Sequence, residues 1–126
     1  MQIYDHDSPE TITFKNNSIE LESWIEHLYY IAKEITNLLN LENLEVHKNE
    51  ASKTIRLKLK KESEDNTRVI NDFLKYKEVL PKATECEDAD CDMFYITEHE
   101  KFRKKYMLYL KKYREVKEEY FSILSK

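Results

Sequence analysis

The chain of 126 residues contains no glycine and only two prolines. Glycine supplies the positive backbone φ that tight turns and β-hairpins need, so its absence argues against a loop-rich β fold. A P-loop and a dinucleotide-binding fingerprint are both excluded, because each is built on glycine. Charged residues make up 37% of the chain, which is typical of long helices with solvated faces. The sequence therefore predicts an all-α protein.

The first 40 residues divide into an arm and a helix. In residues 1–17, Pro9 and the alternation of Ile12 and Phe14 favour an extended N-terminal arm. From about 19 to 40, apolar residues recur at helical spacing in two adjoining rows, which predicts a helix that contacts two neighbours. The rows are Leu21, Ile25, Leu28, Ala32, Ile35 and Leu39, and Trp24, Leu28, Ile31, Ile35 and Leu38.

The last predicted helix spans 97–125. Thr97 followed by Glu100 is a capping-box pattern, which places the start of the helix at this point. A row of apolar and aromatic residues then follows the heptad spacing of a coiled coil. The row consists of Phe102, Tyr106, Tyr109, Tyr113, Val116, Tyr120 and Ile123, and Met107, Leu110, Phe121 and Leu124 widen it.

A middle helix is predicted over about 43–80, where Pro81 ends it. Glu62 and Asn66 interrupt its apolar row, so either one long helix passes through solvent there or the helix breaks near 64–67. An acidic connection, 81–96, would follow. The predicted fold is one domain, 18–126: an antiparallel bundle of three helices, or four if the middle one breaks, with coiled-coil packing.

The predicted middle helix is much longer than the first helix and would overhang it. Its exposed row, with Phe73, Tyr76 and Leu80, would then need a partner. Our first functional hypothesis is therefore a non-catalytic interaction or scaffold protein that acts as a homodimer.

The stretch ECEDADCDMF, 85–94, sets two cysteines among carboxylates. Zinc sites need more thiolate or histidine ligands than Cys86, Cys91 and His99 supply. Asp88, Asp90 and Asp92 start like a calcium loop, but that loop lacks its glycine and its final glutamate. A solvated acidic loop with no bound cofactor is the expected structure. The alternative is a cation-binding or redox sensor through 85–99, with Cys86, Asp88, Asp90, Cys91, Asp92 and His99 as its residues.

The stretch 101–114 carries seven basic residues and no acid. Basic residues interleaved with aromatics can bind nucleic acid, so a nucleic-acid accessory factor is a further alternative. The aromatics, however, lie on the heptad row and are expected in the core, which argues against nucleic acid.

Few other functions find support in the sequence. No apolar run approaches the roughly 20 residues that span a bilayer. The polar start of the chain does not resemble a signal peptide, so a cytoplasmic protein with reduced thiols is expected. The histidines lack the spacing of helical metal sites, and we expect no enzyme activity.

Overall fold

The computed structural model of the chain describes residues 8–44 and 50–125. Three α-helices make up most of this part: α1 spans Pro9–Leu44, α2 spans Glu50–Val79 and α3 spans Ala89–Leu124. A 3-10 helix, Leu80–Glu85, follows α2 directly. Each helix packs against the other two, and no strand occurs in the described ranges. The predicted all-α three-helix bundle is confirmed.

α1 begins ten residues earlier than expected, because the start of the helix is capped at Ser8. The Ser8 Oγ accepts a hydrogen bond from the Thr11 N–H at 3.2 Å, and its carbonyl accepts from the Ile12 N–H at 3.0 Å. Pro9 then occupies the first helical position, where its missing N–H costs nothing. The predicted extended arm is therefore wrong for 9–17, and 1–7 lie outside the described residues.

α3 also begins earlier than expected, at Ala89 and not at Thr97. The Asp88 Oδ1 accepts a hydrogen bond from the Cys91 N–H at 2.8 Å, so Asp88 caps the helix. Thr97 and Glu100 lie inside α3, and their capping-box pattern has no such role. The predicted connection 81–96 is wrong, because only 86–88 separate the 3-10 helix from α3.

α2 is one continuous helix, so the single-helix alternative is confirmed and the break near 64–67 is not found. Its start differs from the expected residue 43, because 43 and 44 belong to α1 while 45–49 lie outside the described residues. Glu62 and Asn66 do not pass through solvent. Both are buried, with 2% and 1% of their surfaces exposed.

Four residues of α3, spaced seven apart, form hydrogen bonds to α1, and we call them the polar ladder. Successive partners on α1 are also seven residues apart over the first three bonds, so the two helices run parallel in constant register. The bonds join His99 Nε2 to Glu20 Oε1 (2.7 Å), Tyr106 Oη to His27 Nδ1 (2.5 Å), Tyr113 Oη to Glu34 Oε1 (2.5 Å) and Tyr120 Oη to the Leu38 carbonyl (2.8 Å).

α2 runs antiparallel to the other two helices, and Asn66 joins all three. The Asn66 Nδ2 donates to the Leu28 carbonyl of α1 and to the Tyr109 Oη of α3, both at 3.0 Å. Seven residues further along α2, the Phe73 ring meets the Phe102 ring at 5.3 Å between centroids. The main apolar rows predicted on α1 and α3 pack in this core, and α1 contacts two neighbours as expected.

We predict that Tyr113→Ala lowers the free energy of unfolding by about 3–5 kcal/mol, the range for deleting a large buried aromatic side chain. Tyr113 is buried, and its hydroxyl bonds to Glu34. Urea unfolding followed by circular dichroism measures the loss. Tyr30→Ala is the matched control: that ring is 62% exposed, and its removal should change stability by no more than about 0.5 kcal/mol. A loss below about 1 kcal/mol for Tyr113→Ala would contradict this core.

Candidate functional site

The densest polar cluster lies between all three helices, and we call it the His99 network. The His99 Nδ1 lies 2.5 Å from the Tyr76 Oη on α2, and its Nε2 lies 2.7 Å from Glu20 Oε1 on α1. Arg103, one turn along α3, donates to both oxygens of the same carboxylate, at 3.1 and 2.5 Å. One carboxylate thus holds a histidine and an arginine of α3 against α1.

Trp24 closes the network on one side. Its indole stacks on the His99 ring at 5.0 Å and on the Tyr106 ring at 5.5 Å between centroids. The Arg103 guanidinium lies 6.0 Å from the centre of the same indole, at the distance of a cation–π contact. His99 is only 2% exposed as a result.

Burial and charge set the protonation of the network. Burial lowers the pKa of His99, and the hydrogen bond from Arg103 lowers the pKa of Glu20, so at neutral pH the imidazole is neutral and the carboxylate is charged. A carboxylate can only accept, so Nε2–H donates to Glu20 and Nδ1 accepts the Tyr76 O–H. Burial also raises the pKa of Tyr76.

A hydroxyl, an imidazole and a carboxylate in a row are the groups that nucleophilic enzymes combine. Here the hydroxyl oxygen points into the core, and Tyr76 is only 4% exposed. Its raised pKa further disfavours a reactive tyrosinate. The visible effect of the row is to hold three helices in one register.

A second polar cluster surrounds Glu62 near the middle of α2. Lys112 reaches in from α3, 2.6 Å from Asp65 Oδ2 and 3.5 Å from Glu62 Oε1. Burial raises the pKa of Glu62, and its Oε2 has no hydrogen-bond partner in the described part of the chain. Burial likewise raises the pKa of Tyr109 to about 12. The interruption of the α2 row by Glu62 and Asn66 was the sequence signal for this cluster.

Cys86 and Cys91 are joined by a disulfide, with their Cα atoms 5.4 Å apart. The bond links the residue that follows the 3-10 helix to the first turn of α3. The expected reduced thiols are therefore wrong, and so is the expected loop from Ala89 onward, which is helical. Glu85, Glu87 and Asp88 are exposed to solvent, as expected. The turn capped by Asp88 brings the two cysteines together, and no spacing pattern in the sequence marks that cap.

The six residues of the alternative metal site do not converge. Both cysteines are consumed in the disulfide, Asp88 caps α3, and His99 is buried in the His99 network. Within 8–44 and 50–125, no group of three or more His, Cys, Asp or Glu residues is placed to hold a metal ion.

The residues expected at the dimer surface, Phe73, Tyr76 and Leu80, lie in the core of a single chain. All three are buried, so this interaction surface is wrong. It was inferred from an overhang of the middle helix, and α2 is in fact shorter than α1 and α3.

The basic stretch 101–114 divides between the core and the surface. Tyr106, Tyr109 and Tyr113 are buried, so they offer no ring faces for stacking bases. Lys105 and Lys112 pair with acids of α2 at 2.6 Å. No helix in the described ranges is long and apolar enough to cross a membrane.

One side of α3 carries four large apolar side chains that are exposed to solvent, and we call it the outward face of α3. Met93 is 59% exposed, Phe94 56%, Met107 57% and Leu108 67%. Met107 was predicted to widen the core row, as was Phe121, which is also exposed, so both placements are wrong. The periodicity of a helix sequence identifies the row with the most apolar residues. A second row with fewer apolar residues, such as this one, was not recognised.

No family model, curated protein or solved structure matches this chain. The geometry of the described residues gives three candidate sites: the His99 network, the disulfide at the start of α3 and the outward face of α3. Of these, only the last presents apolar surface that the bundle itself does not use.

The His99 network predicts a pH dependence of stability. The pKa of His99 is lower in the folded chain than the ordinary 6.5, so the unfolded chain binds a proton that the folded chain excludes. The contribution of the neutral His99 to stability is complete above about pH 6.5, and it is lost as pH falls towards the pKa of His99 in the folded chain. The melting temperature should fall between pH 7.5 and 5.5, and less so in His99→Gln.

Glu20 has a lowered pKa as well, but its contribution is lost only as pH falls below the ordinary 4.5, so the two groups act in different ranges. Equal slopes for the two proteins between pH 7.5 and 5.5 would contradict the buried neutral His99.

Proposed function

We propose that the protein is a non-catalytic interaction or scaffold protein that acts as a homodimer. The observation that carries this proposal is the outward face of α3, where four large apolar side chains are each more than half exposed. They form two pairs on one side of the helix, and exposed apolar surface of this kind is typical of surfaces that bind another protein. The polar groups in the core, in contrast, mostly hydrogen-bond to one another.

Coiled-coil packing belongs to the same proposal. The seven-residue spacing of the polar ladder supports it, because this repeat keeps one side of a helix facing its neighbour over many turns. A helix with this seven-residue repeat on its inner side can carry a second seven-residue repeat on its outer side, and coiled-coil assemblies require such an outer repeat to bind a further helix.

The location that we propose is the cytoplasm. In a reducing compartment a disulfide is usually transient, catalytic or regulatory. Cys86–Cys91 would then be a bond that forms and breaks, and this favours one second candidate function: a redox-responsive version of the same interaction protein. The bond ties down the first turn of α3, next to Met93 and Phe94 of the outward face.

The homodimer predicts a solution mass of twice 15.3 kDa at micromolar concentration. Light scattering after size-exclusion chromatography measures this mass directly. EDTA should leave it unchanged, because the proposed contact involves no metal ion. A mass of 15.3 kDa at all concentrations up to tens of micromolar would contradict the homodimer.

The disulfide predicts a measurable redox effect. The two cysteines are separated by 5 residues, and the loop-closure entropy for that length corresponds to about 2 kcal/mol of unfolding free energy. The double variant Cys86→Ser with Cys91→Ser should lose about this amount and keep its helical circular dichroism. Reduction with a phosphine should destabilise the natural chain and leave the variant unaffected. If reduction leaves the natural chain unchanged, the redox candidate fails.

A further inference from the structure

A row of exposed positions with heptad spacing runs along the outward face of α3, on the opposite side of the helix from the polar ladder. Positions 97, 104 and 111 each lie two residues before a ladder position (99, 106 and 113), and position 90 lies one heptad before 97. Two residues correspond to about 200° around the helix. The side chains at these four positions are all exposed. Three adjacent pairs fill the spaces between them: Met93 with Phe94, Glu100 with Lys101, and Met107 with Leu108.

This face is complementary to itself when it is reversed about the point between Glu100 and Lys101. Counting outward equally from that point, two acids meet bases, apolar residues meet apolar residues, and Lys104 meets the neutral Thr97. The matching positions are Glu100 with Lys101, Thr97 with Lys104, Phe94 with Met107, Met93 with Leu108, and Asp90 with Lys111. Every one of these side chains is exposed in the single chain.

From this symmetry we infer that α3 binds the α3 of a second copy, antiparallel, with the two-fold axis between Glu100 and Lys101. The inference rests on the proposed homodimer and specifies its surface. In a two-fold contact every residue pair occurs twice, once on each side of the axis. The contact from 90 to 111 covers about 32 Å of helix.

Three of the charges on this face are free to act between chains. Lys104, Lys111 and Asp90 form no ion pair with any residue in 8–44 or 50–125, whereas Lys105 and Lys112, on the side of α3 that faces α2, are paired within the chain. Near the axis Glu100 pairs with Arg103, and Lys101 lies 3.8 Å from Glu98. The outermost pair, Asp90 with Lys111, therefore has the clearest intermolecular role.

A partner of uniform charge would fit this face less well than a second copy. The half from 90 to 100 is acidic and the half from 101 to 111 is basic, so a nucleic acid or a basic peptide would be repelled by one half. In the antiparallel arrangement each half meets the opposite charge. The eight apolar side chains of the two copies then pack as two equivalent groups of four, one on each side of the axis, and are removed from water.

Reversal of single charges tests the arrangement. Asp90→Lys places lysine opposite Lys111 at both ends of the contact, and Lys111→Asp places aspartate opposite Asp90. Each variant alone should dimerise at least about ten-fold more weakly than the natural chain, since like charges face each other twice. Mixed in equal amounts, the two variants should form a heterodimer, because both of its charge pairs are then opposite. The double variant should again form a homodimer.

Lys60→Asp is the matched control, because it makes the same change at an exposed position of α2. Sedimentation equilibrium measures the dissociation constants, and circular dichroism verifies that each variant folds. The heterodimer and the double variant also guard against misfolding, since neither would recover if a single variant failed to fold.

The outcomes separate the two proposals. If the natural chain is a dimer but the α3 variants dimerise as well as Lys60→Asp does, the homodimer stands and the α3 contact is overturned. If the natural chain is a monomer throughout, both are overturned. Weakened single variants that recover on mixing support the antiparallel contact. In a parallel pairing 90 would face 90 and 111 would face 111, so like charges would already meet in the natural chain and the single variants would dimerise no more weakly than it does.

Discussion

A polar atom buried between helices must find its partner on another helix, and this requirement sets the register of the whole bundle. An unpaired buried donor or acceptor costs about 1–3 kcal/mol, so a bundle that shifted along its axis would lose several such bonds together. The polar ladder fixes α1 against α3, and Asn66 fixes α2 against both. Apolar side chains alone would tolerate a shift by one heptad far better, because leucine fits against leucine in many registers.

Glu62 is the exception to this rule. Its carboxylate is buried with one oxygen unpartnered in the described part of the chain, and Lys112 lies 3.5 Å from the other oxygen. Burial of a carboxylate carries a desolvation cost, and the attraction of the half-exposed Lys112 offsets it only in part. Glu62 is therefore weak evidence for stability of the bundle.

The sequence was a good guide to what lies inside the bundle and a poor guide to where helices end. Heptad rows such as Leu21 to Leu39 and Tyr106 to Tyr120 identified the core, because burial repeats along a helix and leaves a periodic record. A helix end depends on one local hydrogen bond, as at Ser8 and Asp88, and many segments contain a residue that could make one. The His99 network and the disulfide were not predicted, because each joins residues whose proximity only the folded chain creates.

The parallel arrangement of α1 and α3 has an electrostatic consequence for the acidic segment. Both helices start at the same end of the bundle, so the positive ends of two helix macrodipoles lie side by side there. The chain places Asp88, Asp90 and Asp92 at this end, and two of them lie in the first turn of α3. Carboxylates that would repel one another in an isolated loop thus sit in a field that favours negative charge, and the most acidic stretch of the chain becomes compatible with a folded helix.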